Sequence, residues 1–524
     1  MIRIRQIKIP YNERTIENIK KKVSKKLNIK LEEIKKININ KESIDARKKP
    51  DIYFIYEVDI EVLNENNILK YNKSNDIFKI EEKEYEIKIT GTKKINNKII
   101  IVGSGPAGLF TAYYLAKLGY KPLIIERGEK IEDRVKSVEK FWSENKLNKN
   151  SNVQFGEGGA GTFSDGKLNT LIKDKENRCK AVFKIFVENG ADPSILYKNK
   201  PHIGTDVLRS VIVNIRKKII EMGGTFRFNT TLTNINIENN KIKSIIVNDM
   251  EEISTDILVL AIGHSARDTF KMLYDKKITM NPKPFAIGIR IIHPQEMINK
   301  NQYGSVSIDI ASYKLTYKAS NNRGVYSFCM CPGGYVVNAS SEEKRLAING
   351  MSNHKRDTKC ANSAIVVTVN TNDFGSNPLD GIEFQRKLEE KAYNLGNGLI
   401  PVQLYKDYKE NKKSEKLNYD PFIKGNYKLT NINQIFPEYI NESLKEAIDN
   451  FDKKIKGFNN DDTIIAAIES RTSSPVRIER DELMKSNIDG IYPIGEGAGY
   501  AGGITTSAID GLKLAEVIAS IYKN

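Results

Sequence analysis

Cysteine is scarce: Cys179, Cys329, Cys331 and Cys360 are the four in 524 residues. Four is too few to staple a chain of this length, so a secreted disulfide scaffold is excluded. Histidine is equally sparse. His202, His264, His293 and His354 stand apart, no two at the spacing of a metal-ligand pair, and no zinc site is expected. Long apolar runs are missing as well. Those present, such as Ile257 to Ile262, are strand-sized, far from the ~20 residues a membrane span requires. The opening Met1-Ile2-Arg3-Ile4-Arg5 alternates like a strand and lacks the apolar core of a signal peptide. A cytoplasmic setting and no membrane partner are therefore expected. No P-loop, no Ser-His-Asp arrangement and no internal repeat occurs.

What is present describes a soluble globular chain: 40% hydrophobic and 28% charged residues over 524 positions, enough for two or three domains. The net charge of +17 raises nucleic acid as a partner. Lysine, isoleucine and asparagine are dense throughout, however, which reads as a composition bias rather than a patch. Nucleic acid is not the expected partner. Residues 1–95 hold 23 Lys and Arg against 16 Asp and Glu and read as a small basic α+β domain. Its parts are a strand from Ile2 to Ile9, a helix from about Glu13 to Leu27, and an alternating strand within Asp51 to Leu63. The charged corner Lys41 to Lys49 is read as solvated surface or an interdomain contact, and the polar stretch Gly91 to Asn97 as a linker.

From Lys98 the pattern becomes strand, glycine turn, helix, strand. Lys98-Ile-Ile-Ile-Val-Gly103-Ser104-Gly105-Pro106-Ala107-Gly108 places G-x-G-x-x-G between a buried apolar strand and a helix from Leu109 to Leu118, the context a dinucleotide motif requires. Gly103 allows the tight turn, Gly105 the close approach of backbone to pyrophosphate, and Gly108 the packing of helix on strand; the helix N-terminus faces the phosphate charge. The next strand, Pro122-Leu-Ile-Ile-Glu126, ends in a carboxylate 23 residues beyond Gly103, near the ~20 expected for an acidic residue on the ribose hydroxyls. Glu126 also argues against a 2′-phosphate, and Arg127 beside it is a further cofactor-binding candidate.

A late segment, Gly490-Ile-Tyr-Pro-Ile-Gly495-Glu496-Gly497-Ala-Gly499-Tyr-Ala-Gly502-Gly503-Ile504, precedes a helix from Thr505. Paired with the first motif, it resembles the FAD-binding half of the glutathione-reductase-type flavoproteins. The resemblance implies that Glu496 holds the ribityl and pyrophosphate end of FAD, where that superfamily usually carries Asp. It also implies that the helix start at Gly502, Gly503 and Ile504 points at the flavin pyrimidine, which would stabilise the anionic reduced flavin. Asp256-Ile-Leu-Val-Leu-Ala-Ile262-Gly263 resembles the strand closing the FAD domain after a β-meander (Phe226 to Asn248), and Leu232 stands where backbone meets adenine. Within the superfamily the chain resembles a group of bacterial FAD-dependent dehydrogenases over nearly its whole length. The marks are Val153-Gln-Phe-Gly-Glu-Gly-Gly-Ala-Gly-Thr-Phe-Ser-Asp-Gly-Lys-Leu168, Gly263-His-Ser-Ala-Arg-Asp-Thr269, Lys283-Pro-Phe-Ala-Ile-Gly-Ile-Arg290, Cys329-Met-Cys-Pro-Gly-Gly334 and Glu469-Ser-Arg-Thr-Ser-Ser-Pro-Val-Arg477.

The expected fold class is α/β. A discontinuous Rossmann-like FAD-binding domain (96–284 and 461–524) would carry an inserted mixed α+β substrate domain (285–460) and the small N-terminal domain (1–95). Within the insertion, strands are expected at Ser305 to Tyr317 and Ala364 to Val369, and helices at Ile382 to Asn394 and Ile440 to Asn450. The loop carrying Gly158, Gly159, Gly161 and Thr162 is expected along the cofactor, contributing backbone N–H groups. Cys329 and Cys331, two apart on a strand and so on one face, are redox-thiol candidates, with structural cysteines as the plainer reading. Arg290, Arg471 and Arg477 are candidates for an anionic small-molecule substrate, one of them facing the flavin. His264 is a candidate acid/base, with a structural histidine as the alternative. No second strand–GxGxxG–helix unit occurs, so either NAD(P)H docks transiently or the substrate itself delivers hydride. The reading is an FAD-dependent oxidoreductase; an RNA-modifying flavoprotein, a flavin redox sensor and a flavin monooxygenase are the alternatives.

Overall fold

Two large sheets with different wiring form the body of the molecule. They are described by a computed structural model that covers residues 1–524 apart from 73, 82, 171 and 173. In the first sheet five parallel strands run in the order Thr225–Arg227, Leu123–Ile125, Lys98–Val102, Glu251–Leu260 and Ile491–Pro493. Lys98–Val102 lies at the centre, and its Ile99 to Val102 are buried on both faces, as parallel strands covered by helices require. Helices Pro106–Lys117 and Ile504–Ile521 cover it together, so the first and last segments of the chain share one core. Glu251–Leu260 serves two sheets. Its first four residues pair antiparallel with Lys241–Val247, which pairs with Leu232–Glu238 to complete a meander, and its second half joins the parallel sheet. Asn239 and Asn240, both at positive φ, make the tight turn between the meander strands, as Asn tolerates that backbone. Phe226 therefore belongs to the parallel sheet rather than to the meander.

The second sheet is mainly antiparallel, in the order Thr316–Lys318, Gly324–Cys331, Cys360–Val369, Phe285–Pro294, Ile464–Glu469, Ile400–Leu404 and Tyr427–Leu429. Helices Asp380–Gly396 and Glu438–Phe451 pack on it and close a second apolar core. Two expectations are corrected here. The return to the dinucleotide sheet falls after Glu469, not at 461, because Ile464–Glu469 is fully buried between Phe285–Pro294 and Ile400–Leu404. Of Ser305 to Tyr317 only the last two residues join a strand, Thr316–Lys318. Side chains take up backbone groups that a ladder would use: Ala311 N–H donates to Asn299, Ala311 C=O accepts from Gln295, and Leu315 N–H donates to Ser327.

The amino-terminal sheet runs Ile34–Asp45, Tyr53–Val62, Ile2–Pro10, Ile77–Lys79, with helix Ile16–Leu27 on one face and its own core. Thr15 caps that helix by accepting from Asn18 N–H, which explains its start three residues later than the charge pattern suggests. The charged corner makes a contact with the body: Glu42 exchanges backbone hydrogen bonds with Tyr197 and Asn199 and is ion-paired to Arg14. The expected linker is pinned. Gly91 and Lys93 donate to Ala519 and Ile521, and Asn96 and Asn97 donate to Asp256.

Candidate functional site

A cavity of about 380 Å³ opens between the two sheets, within the range of small-molecule and cofactor sites. The first glycine turn builds one wall. Gly103 has φ +99°, open to glycine without strain, and a Cβ there would stand 2.4 Å from Ala261 O. A Cβ on Gly108 would lie 2.0 Å from Gly103 O, so helix Pro106–Lys117 seats against the strand only because residue 108 lacks a side chain. Gly105, Gly263 and Gly502 behave differently: all three line the cavity. A Cβ on Gly263 or Gly502 would meet nothing within 4 Å, and one on Gly105 only Gly159 Cα at 3.8 Å. Gly263 also has φ +70°, so its backbone already favours glycine; at Gly105 and Gly502 glycine keeps open space in the cavity wall, as a ligand cradle needs.

Glu126 braces this wall. One carboxylate oxygen accepts from the N–H (2.9 Å) and hydroxyl (2.8 Å) of Ser104, the other from Gly128 and Gly156 N–H (3.0 Å each). About four lone-pair sites are thereby filled, so the carboxylate ties the glycine turn to the 156 loop and does not stand free as the ribose acceptor expected of it. Arg127 lines the cavity over the Phe155 ring, its guanidinium paired with Asp268. Arg134 is fully buried under the loop and donates to five carbonyls, those of Asn152, Val153, Gly156, Glu157 and Gly159. It fixes the loop that nothing in regular secondary structure would hold.

The remaining wall comes from the carboxyl end of the chain. Gly495 N–H donates to Asp510, which also pairs with Arg480, and so holds the loop against helix Ile504–Ile521. The first amides of that helix lack intrahelical partners, and Gly502, Gly503, Ile504 and Ser507 face the cavity. Glu496 lies there too, its carboxyl raised to about 7, chiefly by burial and against the pull of Lys283. His264 lies 4.0 Å from it. Burial, with Arg471 and Arg267 nearby, lowers the imidazole to about 3, so His264 is neutral at physiological pH and hydrogen-bonds Ser265.

At the far end the second sheet contributes Phe328, Cys329 and Glu469, with Arg471 just past its edge, and strand Ile348–Met351 of a separate three-stranded sheet contributes Asn349. Arg471 faces the cavity but is held by Glu389, Ser265 and Ser341. Arg290 is buried outside it, paired with Glu469 at 2.8 Å and bonded to Asn349 and Asn362. Arg477 lies over the Tyr500 ring, outside the lining. Of the three arginine candidates, Arg471 reaches the cavity.

Among the other expected residues, Gly103, Pro106, Ala107, Gly159, Gly161, Leu232, Gly495 and Glu496 line the cavity. Ser104, Gly108, Gly158 and Thr162 stand behind it as supports: Gly158 N–H donates to Ser104 O, and the Thr162 hydroxyl to Glu157 O. Cys331 is buried beneath the surface that Cys329 presents. Sequence reasoning missed Lys167, Asp165, Asn349 and Glu469 as lining residues. Three of them sit inside segments whose glycines or neighbouring arginine drew attention first; Asn349 has no local signal at all.

The chain matches known protein families in sequence. Residues 284–472 match the family described as "FAD-dependent protein, C-terminal domain-like", residues 101–150 an NAD(P)-binding Rossmann-like domain, and residues 1–61 a domain of unknown function. An uncharacterised protein of Clostridium beijerinckii is 49% identical over 99% of this chain and 98% of its own. The chain belongs to this family of FAD-dependent proteins. Solved structures resembling this FAD-dependent protein include the halogenase PltM in complex with FAD (11% identity, 81% of this chain and 70% of that one, TM-score 0.38) and L-proline dehydrogenase from P. horikoshii (17% identity, 81% and 94%, TM-score 0.34). FAD is the cofactor, and the open glycine cradle fits a dinucleotide. Gly105, Gly263 and Gly502 would lie along it, with the amides of the Ile504–Ile521 helix start facing its charge.

Proposed function

We propose that this protein is an oxidoreductase that moves a hydride between a small anionic substrate and FAD. The observation that carries this reading is the composition of the cavity: its glycine walls come from the dinucleotide sheet, and its far end from the other sheet. A substrate entering against Phe328, Cys329, Asn349 and Glu469 would thus share one enclosed space with the cofactor. Bound FAD supplies a hydride acceptor or donor at flavin N5; position and electrostatics come from the chain.

Lys167 lines the cavity, and its buried ammonium has no hydrogen-bond partner among the described residues. The carboxylate nearest to it, Asp165 at 3.7 Å, is already paired with Arg356 and bonded to Ser352, leaving lysine charge for a substrate anion. Glu496, raised to about 7, is poised to take or give a proton near neutrality. His264 is neutral and is assigned a hydrogen-bonding role instead.

The test is anaerobic stopped-flow reduction of the FAD-loaded protein by NADH and by NADPH, read at the flavin absorbance near about 450 nm. Rapid bleaching by one nicotinamide would establish a reductase half-reaction despite the lack of a second dinucleotide motif. Resistance to both, with bleaching by small carboxylates, would mark a dehydrogenase reduced by its own substrate. Resistance to every organic donor would contradict the oxidoreductase reading and favour a redox sensor.

A further inference from the structure

Cys329 and Cys331 sit where strand Gly324–Cys331 loses register with Cys360–Val369. Phe328 faces Ala364 and Cys331 faces Asn362, so three steps on one strand match two on the other. This is a β-bulge, and it interrupts the alternation of side chains. Cys329 itself has φ +44°, a left-handed backbone that non-glycine residues rarely adopt and that concentrates at functional sites. Something must hold it, and the buried Arg290 does so. Anchored by Glu469, Asn349 and Asn362, its guanidinium donates to Cys329 O at 3.2 Å.

The bulge has a consequence for the two sulfurs. In a regular strand, residues i and i+2 have Cα atoms about 6.6 Å apart, at the far limit of the span of roughly 4.4–6.8 Å that a disulfide bridges. A bulged, left-handed Cys329 contracts that separation. The two residues fold back on each other: the Cys331 thiol donates to the Cys329 backbone carbonyl at 3.2 Å. Both are free, Cys329 facing the cavity and Cys331 buried behind it. The surroundings favour negative charge on the outer sulfur. The adjacent Cys331 thiol, then Lys167 and Arg290, hold the Cys329 thiol well below its ordinary range, while the neighbouring Cys329 and burial push Cys331 up. A structural cysteine pair needs neither the strained backbone nor a place in the cavity lining beside the Lys167 ammonium.

We propose that Cys329 and Cys331 form a dithiol/disulfide pair that exchanges two electrons with the FAD held in this cavity, giving the protein a second redox centre. The inference rests on the flavin-redox reading above. In the reductive direction the Cys329–Cys331 S–S bond breaks as it takes two electrons and one proton from two-electron-reduced flavin. Cys329 is left as thiolate, Cys331 as thiol, and the flavin oxidised. In the reverse direction the S–S bond forms, the Cys331 proton and two electrons pass to oxidised flavin, and nothing else is consumed.

The full-length FAD-loaded protein, oxidised with diamide and desalted, is titrated anaerobically with dithionite and followed at the flavin absorbance. Four electrons per flavin are expected in the wild type and two in both Cys329→Ser and Cys331→Ser. Uptake of two electrons by the wild type, or of four by Cys329→Ser, would overturn the pair. In either event the flavin still bleaches, so the oxidoreductase reading stands apart. A measurement on the wild type alone guards against variants that fail to fold. After diamide oxidation and iodoacetamide treatment, the peptide carrying both cysteines is expected unalkylated and two hydrogens lighter, and doubly alkylated after reduction. Full alkylation without reduction would also overturn the proposal.

Discussion

Glu157 is buried beneath the 156 loop, with one carboxylate oxygen on Arg216 and Ile131 N–H and the other without a partner among the described residues. Burial raises it to about 7 from 4.5. A carboxyl that binds its proton more tightly in the fold than in the unfolded chain stabilises the fold fully below about 4.5 and loses that contribution as pH rises through about 7. Glu157→Gln keeps the acceptor and removes the titration. Its melting temperature should therefore fall less steeply than the wild type's between those pH values, a difference worth on the order of 3 kcal/mol at 1.36 kcal/mol per unit. Parallel pH profiles would refute the assignment. At the same scale, the depressed Cys329 thiol should react with iodoacetamide at pH 6.5 at least ten times faster than Cys360, whose thiol burial pushes up to about 12. Equal rates in peptide mass spectra would count against the charge environment described for it.

Helix Asp380–Gly396 is an element whose role extends beyond packing. Its Glu389 is fully buried and accepts from Arg267 and Arg471 at 2.8–3.0 Å, and from Ser470. Two guanidiniums balanced on one carboxylate tie the end of the parallel sheet to the second sheet, just below the cavity floor. Glu389→Gln would leave buried positive charge uncompensated, and a loss of about 3–5 kcal/mol in denaturant unfolding is expected; a loss under ~1 kcal/mol would mean the network is dispensable. None of this was legible in the sequence. Glycine turns and apolar strands are local patterns, and they read correctly: Lys98–Val102 with its turn, and the helix ends near 118 and 394. The 389 network joins residues 81 to 122 positions apart, and no periodicity encodes it. The expected strand at Ser305 to Tyr317 failed for a related reason, since Asn299, Gln295 and Ser327 compete for its backbone groups from outside the segment.

At the scale of the whole molecule, two stretches nearly 400 residues apart enclose one cofactor space. The sequence showed both halves because each carries its own glycines, and it showed the family because the motifs between them are specific. It did not show which polar residues face the far end, since that depends on how the second sheet is laid against the first. The basic amino-terminal sheet is joined to the body through backbone hydrogen bonds of Glu42 with Tyr197 and Asn199. Glu42→Pro, which removes the N–H donated to Tyr197, would weaken that joint without touching the cavity, so FAD content should stay at the wild-type level while protease sensitivity between residues 63 and 97 rises. Loss of FAD would place the joint in the cofactor site after all.

The measurement that bears most directly on the account is FAD affinity in Gly105→Val and Gly502→Val. Neither position needs a left-handed backbone, and a Cβ at either would meet no protein atom closer than 3.8 Å. Both variants should therefore melt like the wild-type apoprotein while binding FAD at least a hundredfold more weakly in a fluorescence titration. Wild-type FAD affinity in either variant would contradict a cradle shared by the two ends of the chain.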